Sequence, residues 1–356
     1  MENRPEYIEQ NYDFIVAKGQ NPERIDVYLT HSVQNATRTK VKRSIDEGRV
    51  LINGKIAKAN TKVAPNDIIQ CKILKPPPME LIPQNIPLDI VFEDDHLIVV
   101  NKPAGMVVHP GYGNRYGTIV NAILYYLGKR EPIPIVVNEE DTESESDEEE
   151  IDEATIFGSE EIRPGIVHRI DKNTSGLLVI SKNTQVHIAL SQQFHDHTIS
   201  REYWGIVWGK LPESSGTIEG LIDRSPQNRK KYAVAKRSGK TAKTDYEVLE
   251  EFEFASLVKF KLHTGRTHQI RVHTAYLKHP ILGDDLYGGN IILYGGQSNY
   301  MRSKAQKCLQ IAQRQMLHAK TLGFIHPVTD QEIYLDSELP QDFKDLLEFL
   351  RMSMKE

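Results

Sequence analysis

The chain has 356 residues, of which 39% are hydrophobic and 26% charged, and its formal net charge is −5. That length suggests about two domains with room for a sizeable core, and no apolar run reaches the ~18 residues expected of a membrane-spanning helix. The acidic balance is local rather than general: residues 139–153 (EEDTESESDEEEIDE) hold eleven of the 49 acids and no base, which leaves 38 acids against 44 bases, a net of +6.

Residues 1–21 show no convincing periodicity and read as a loose arm; they lack the apolar core of a secretory signal. A compact unit follows over 22–75. Ile25, Val27, Leu29 and Val33 suggest a short helix. Thr37 is placed to cap a second helix, RTKVKRSIDEG, with Val41 and Ile45 on its inner face and Gly48 at its C-terminal end. Asn53-Gly54 between apolar runs predicts a hairpin, and DIIQCKIL a further strand. Residues 76–85, opening on Pro76-Pro77-Pro78, read as a stiff linker.

A larger unit is expected over 86–340. LDIVFEDDHLIVVNK predicts two strands, TIVNAILYYLGKR an amphipathic helix, GLLVISK a strand, QVHIALSQQF a helix and REYWGIVWGK a strand. TDYEVLEEFEFASLVKFKLHTG predicts a hairpin and THQIRVHTAYL a helix. Two insertions are expected within this unit: an acidic, disordered one over 138–161 and a basic helical one over 290–316, carrying Arg302, Lys304, Lys307 and Arg314. Residues 341–356 form a C-terminal helix and tail. Short helices among mostly antiparallel strands argue for an α+β fold rather than a doubly wound sheet.

Two stretches are dense in polar groups. RPGIVHRIDKNTSGLLVISK at 163–182 sets His168, Arg169, Asp171, Lys172, Asn173, Thr174 and Ser175 between apolar strands, where such groups need partners. Asp171 and Thr174 alone could be satisfying a turn. The HRID sequence is no kinase loop, because no Asp-Phe-Gly follows and no glycine-rich loop precedes it. In LHTGRTHQIRVHTAYLKHPILGDDLYGG, at 262–289, Arg266, His268, Gln269, Arg271 and His273 fall within eight residues. A helix starting near Thr267 would put Thr267, Arg271 and Ala275 on one face, so that one Arg points into the domain. Without a HExxH or a carboxylate at ligand spacing, His268, His273 and His279 do not predict a metal site. No phosphate-binding glycine motif occurs, so no nucleotide cofactor is expected. Cys71 and Cys308 form no CxxC pair and fit a reducing cytoplasm. On the second helix and hairpin, Arg38, Lys40, Lys42, Arg43, Arg49, Lys55 and Lys58 outnumber Asp46 and Glu47, as phosphate binding requires.

Taken together these motifs resemble those of a known family. HRIDKNTSG at 168–176 is similar to the signature HR[LI]D-x-x-[TS][ST]G of the RluA-type pseudouridine synthases. NKPAGMVVHPG (101–111), REYWGIV (201–207), TGRTHQIRVH (264–273) and HPILGDDLYG (279–288) resemble its other blocks, in its order. Glu23–Leu74 resembles the alpha-L RNA-binding module of a small-subunit ribosomal protein and of tyrosyl-tRNA synthetases, through Arg38, Ile45, Gly48, Val50, Ile52, Asn53 and Gly54. Together the resemblances cover about residues 23–335.

The resemblance implies a mostly antiparallel mixed-sheet catalytic domain behind a helix–helix–hairpin RNA-binding domain. It implies isomerisation of uridine in RNA, most of all in large-subunit ribosomal RNA, without cofactor or metal. Asp171 then matches the catalytic aspartate, Arg271 the base that pairs with it, and Tyr203 the aromatic that stacks on uracil. Arg169 matches the arginine that fills the space of the flipped nucleotide, since reaching the glycosidic bond means unstacking the base. His168, which also shapes the loop, and Arg266 are counted with Arg169 as RNA-facing; Arg38, Lys40, Lys42, Arg43 and Arg49 form the module's RNA surface. Partners expected are RNA and pre-ribosomal particles, with no membrane, and the chain is read as a cytoplasmic monomer. The readings set against this are a non-catalytic assembly factor on the same fold, a synthase acting on transfer RNA, and a nucleoside hydrolase.

Overall fold

The computed structural model describes residues 8–33, 38–75, 79–111, 114–135, 165–228, 230–296 and 298–353. Thr37, Pro76–Pro78 and the acidic insertion lie outside them. Contacts divide the chain into two compact units, one holding residues 1–81, 111–113 and 132–159, the other the remainder.

In the first unit β1 (Ile8–Ile15), β2 (Glu23–Arg24), α1 (Ile25–Ser32), α2 (Arg38–Asp46), β3 (Val50–Ile52), β4 (Lys55–Ile56), β5 (Lys62–Val63), β6 (Ile68–Lys75) and β7 (Met79–Leu81) follow one another. The order β1-β6-β3-β4 makes an antiparallel sheet, and β2 pairs with β5. Residues 8–15 are therefore no loose arm: β1 pairs along its length with β6, from Ile8↔Lys75 to Ile15↔Ile68. Backbone pairing holds this edge together with Tyr12 and Phe14, which pack on the core, while Ile15 on the opposite face is 74% exposed. The Asn53-Gly54 turn has φ of 48° and 76°, the positive pair a two-residue type I′ hairpin needs. Val41, Ile45, Ile25 and Leu29 form one small core with Val50, Ile69 and Cys71.

The second unit begins with β8 (Ile90–Glu93), β9 (Leu97–Lys102) and α3 (Ile119–Tyr126). The strand β10 (Ile133–Ile135) returns to the first unit and pairs with β7. The second unit resumes with β11 (Gly165–Ile166), β12 (Ser175–Ser181), α4 (Thr184–His195), β13 (Ser200–Trp208), β14 (Ser215–Arg224), β15 (Tyr232–Ala235), β16 (Lys240–Glu251) and β17 (Ala255–Leu262). It ends with α5 (Gln269–Tyr276), α6 (Asn299–Ile311), β18 (Leu317–Ile325), β19 (Glu332–Asp336) and α7 (Gln341–Ser353).

Its sheet runs β15-β14-β16-β17-β13-β18-β12-β9-β8, with β11 on β12 and β19 on β18. Among the described strands the pairing is antiparallel except where β12 meets β18, at Ser175↔His318 and Gly176↔Ala319. This is the α+β architecture expected. β12 is buried on both faces, as its unbroken apolar run requires. The main core joins Ile206, Val207, Trp208, Val258, Phe260 and Ile281 to Phe343 and Leu346 of α7.

Gly176, where the polar loop enters β12, carries the sharpest steric demand. Its φ is 116°, and a Cβ there would lie 2.2 Å from the Ala319 carbonyl oxygen. Gly176→Ala combines backbone strain of ~1–3 kcal/mol with an overpacking cost of ~1–3 kcal/mol. Urea unfolding is expected to show a loss of about 3 kcal/mol or more, and a loss under 1 kcal/mol contradicts this account of the turn.

Candidate active site

The polar loop 168–174 leaves β11 and enters β12, beside the N-terminal end of α5. Asp171 is the centre of charge. Arg271, in the first turn of α5, donates from Nη1 to Asp171 Oδ2 at 2.9 Å and from Nε to Asp284 Oδ2 at 2.7 Å. Its Nη2 donates to Asp284 Oδ1 at 3.0 Å. Arg271 is 3% exposed and Asp284 fully buried, whereas the Asp171 side chain is 15% exposed. One guanidinium thus lies between two carboxylates, and only the outer one can meet a ligand.

Asp284 is fixed by its own backbone, with Oδ1 also accepting from the N–H groups of Leu286 and Tyr287 at 3.1 Å each. Gly283 before it has φ of 82°, and a Cβ there would meet the Arg314 carbonyl oxygen at 2.1 Å. The GDDLYG sequence is a tight turn that aims one carboxylate inward.

Burial alone would raise the Asp171 pKa. The positive potential of His268, Arg271 and Arg169 and the Arg271 hydrogen bond overcome it and hold the pKa at about 2. Burial lowers the Arg271 pKa in turn, but the two carboxylates more than reverse this, so it stays charged. Tyr203 on β13 is 6% exposed. Burial raises its pKa, Arg201 opposes this and Asp171 adds to it, so the phenol keeps its proton at neutral pH. β13 sets it opposite Ala319 of β18, the residue that β12 meets at Gly176, where the Asp171 loop ends. Arg169 is half-buried on the same loop.

His168 stands differently from its expected RNA-facing place, and Arg266 has a backbone partner as well as exposed surface. His168 is 8% exposed, accepts the Val179 N–H at Nε2 (3.0 Å) and stacks on Phe194 at 4.5 Å. Burial pulls its pKa down to about 3, with Arg201 adding to the effect. A neutral ring packed inward holds the loop rather than RNA. Arg266 donates from Nε to the Thr241 carbonyl at 3.0 Å, and its own N–H goes to Gln269 Oε1, so it shapes the turn before α5. The helix starts at Gln269, not Thr267, because His268 adopts φ 56°. His268, His273 and His279 turn to separate partners: the Tyr287 hydroxyl, Thr244 Oγ1 and the Trp208 carbonyl.

In the first unit Lys42 and Arg43 are exposed on α2, while Arg43 and Arg49 both reach Glu47 at 3.0 Å, which reduces the net charge of that face. The side chains of Arg38 and Lys40 lie outside the described residues.

A family model described as RNA pseudouridylate synthase matches residues 96–276, and an S4 domain model matches 23–69. An RNA pseudouridine synthase of Chlorobaculum parvum is 44% identical over 345 residues, covering 95% of this chain and 97% of that protein. The chain belongs to the RNA pseudouridylate synthase family. A protein named ribosomal large subunit pseudouridine synthase D, from Zymomonas mobilis, is 40% identical to this synthase, with coverage of 93% and 94%. Among solved structures, human RNA pseudouridylate synthase domain containing 4 shares its fold at a TM-score of 0.52 and 24% identity, covering 74% of this chain and 92% of that one.

The structure adds groups that the sequence motifs did not single out. Asp284 is the second partner of Arg271. Lys102, from NKPAG, is fully buried and donates to the carbonyls of Pro103, Met106 and Lys172 at 2.9, 2.8 and 3.0 Å, tying this loop to the loop of Asp171. Burial lowers its pKa to about 7, Asp171 working against the shift; three carbonyl acceptors match the three protons of the ammonium. Residues 223–243 carry exposed Arg224, Lys230, Lys236, Arg237 and Lys240 with Asp223 the one acid in that stretch. There the Tyr232 N–H donates to the Tyr287 hydroxyl at 3.0 Å, which seats the β14–β15 hairpin beside the site. Counting charge over 223–243 would have found this patch.

Proposed function

We propose that this synthase isomerises specific uridines of large-subunit ribosomal RNA, with Asp171 as the catalytic carboxylate. One observation carries the assignment: of the two carboxylates held by the buried Arg271, Asp171 alone is open to a ligand. The reaction breaks the bond from ribose C1′ to uracil N1, turns the base and joins C1′ to C5; the C5 proton leaves and N1 gains one. A permanently ionised carboxylate at the sugar supports this either by attack on the ribose or by stabilising positive charge there. Arg271 keeps Asp171 ionised and aimed. Tyr203, protonated and apolar on its faces, stacks on the uracil, and Arg169 fills the gap left by the flipped nucleotide.

The ribosomal substrate rests on relatives named for the large ribosomal subunit. The S4 domain and the basic 223–243 hairpin supply the positive surface RNA requires. Two buried free thiols fit the cytoplasm. Tritium at uracil C5 in large-subunit ribosomal RNA should be released by the protein, and mapping pseudouridines with and without the gene should identify the sites. Release from transfer RNA alone would reassign the substrate, and free uracil as product would make the enzyme a hydrolase.

If the S4 unit binds phosphate, Lys42→Ala raises KM and lowers the slope of log K against log salt by about 1. An unchanged slope removes Lys42 from the interface.

A further inference from the structure

Arg314 lies between α6 and β18, in the basic insertion whose charges the sequence leaves without a use. It is 9% exposed. Its Nη1 donates to the Asn173 carbonyl at 3.0 Å and also to those of Gln315 (3.0 Å) and Leu317 (3.3 Å). Nη2 reaches Ser175 Oγ at 3.4 Å and Asp342 Oδ1 at 2.9 Å, and Nε donates to Asp342 Oδ2 at 2.7 Å. Asp342 stands in the first turn of α7, whose Phe343 and Leu346 are buried in the main core.

The same short stretch grips the loop at further points. Gln315 Nε2 reaches Thr174 Oγ1 at 3.4 Å, and the His318 ring lies between Ser175 Oγ at 2.9 Å and Ser337 Oγ at 2.8 Å. On its other side the Arg314 backbone carbonyl packs against Gly283, the residue before Asp284. Its side chain therefore holds the chain two residues after Asp171, and its carbonyl abuts the chain one residue before Asp284. Consecutive loop carbonyls are also shared between buried cations, Lys172 with Lys102 and Asn173 with Arg314.

We propose that Arg314 is a positioning residue for the isomerisation: it fixes the Asp171 loop to α7 through Asp342 and sets both carboxylates about Arg271. A planar fork with fixed donor directions suits this, because Arg314 answers a carboxylate along one edge and carbonyls along the other, which an ammonium cannot reproduce. Misplacing a reacting group by about 1 Å costs on the order of 10²-fold in rate, so the effect belongs in kcat rather than in RNA affinity.

The inference rests on Asp171 being the catalytic carboxylate, and the experiment separates the two. Asp171→Asn, Arg314→Gln, Arg314→Lys, Asp342→Asn and the Arg314→Gln/Asp342→Asn pair are made in the full chain. Single-turnover rates at saturating large-subunit ribosomal RNA, RNA Kd and urea unfolding are measured for each. Arg314→Gln is expected to lower the rate by about 30- to 100-fold with Kd within about twofold. Arg314→Lys should recover part of this. Asp342→Asn should cost several-fold less than Arg314→Gln, and the pair should be no slower than Arg314→Gln alone, because the two residues act as one unit.

A folded Arg314→Gln protein with a rate within about threefold of wild type overturns the proposal, as does weakened RNA binding at an unchanged rate. If Arg314→Gln fails to fold, Asp342→Asn and Arg314→Lys decide, and unchanged rates in both overturn it. Full activity in Asp171→Asn defeats the underlying reading instead.

Discussion

Asp171→Asn is expected to abolish tritium release from uracil C5, lowering the rate by at least about 10³-fold, the scale seen when a covalent or charge-stabilising residue is removed, while RNA binding persists. The amide matches the carboxylate in size and can still accept from Arg271 Nη1, so the loop should remain in place. What disappears is the negative charge at the open edge of the Arg271 pair. Stability should fall modestly, because the fold stabilises the ionised form of Asp171, while Arg271 remains paired with Asp284. Rate, Kd and unfolding measured on one preparation make this specific. Residual activity within tenfold of wild type would show that another group performs the chemistry at the ribose. It would also revive the hydrolase reading if the product were free uracil.

The chemistry was legible in the sequence because it is written in short, ordered motifs. HRIDKNTSG predicts a polar loop ending on a glycine, and the structure supplies the reason: β18 passes so close to Gly176 that no side chain fits. The Asn53-Gly54 hairpin and the Val41/Ile45 face were legible for the same local cause. Features decided by long-range pairing were not. β1 alternates only over Asn11–Ile15, with Tyr12 and Phe14 turned to the core, a pattern too short to read without its pairing to β6, about sixty residues away in sequence. β14 and β15 end the large sheet with half-buried surfaces that blur the two-residue period. Charge was the most misleading guide. Arg314 and Lys304 stand in a basic run without acids to which the sequence gives no use, and the structure turns both inward: Arg314 is buried on Asp342 and Lys304 donates to the Ser353 carbonyl at 2.6 Å. His168 likewise turned to a backbone group, because a loop set among buried strands must satisfy its polar groups internally. The second carboxylate on Arg271 was hidden similarly: nothing in GDDLYG tells which Asp points inward until the turn at Gly283 is seen.

The same pairing yields the largest expected effect on stability. Arg271→Ala leaves Asp171 and Asp284 facing each other without the guanidinium, and Asp284 has no exposed surface. Removing one partner of a buried ion pair costs ~3–5 kcal/mol, so urea unfolding should show a loss of that order, with isomerisation lost as well. Arg271→Lys should fall between, because an ammonium cannot donate to both carboxylates with fork geometry. The pH dependence gives an independent check. Asp171 has its pKa depressed from 3.8 to about 2, so its contribution to stability is fully present above the unfolded value and is lost as pH falls through about 2. In wild type, the ionisation of Asp171 should therefore place no acid limb in kcat/KM above pH 4. With Arg271 replaced by Lys, the weaker pairing lets burial raise the Asp171 pKa, and an acid limb should appear above pH 4. If the limb stays where it is in wild type while the rate falls, Arg271 acts by holding the loop alone, and the carboxylate owes its ionisation to Arg169 and His268.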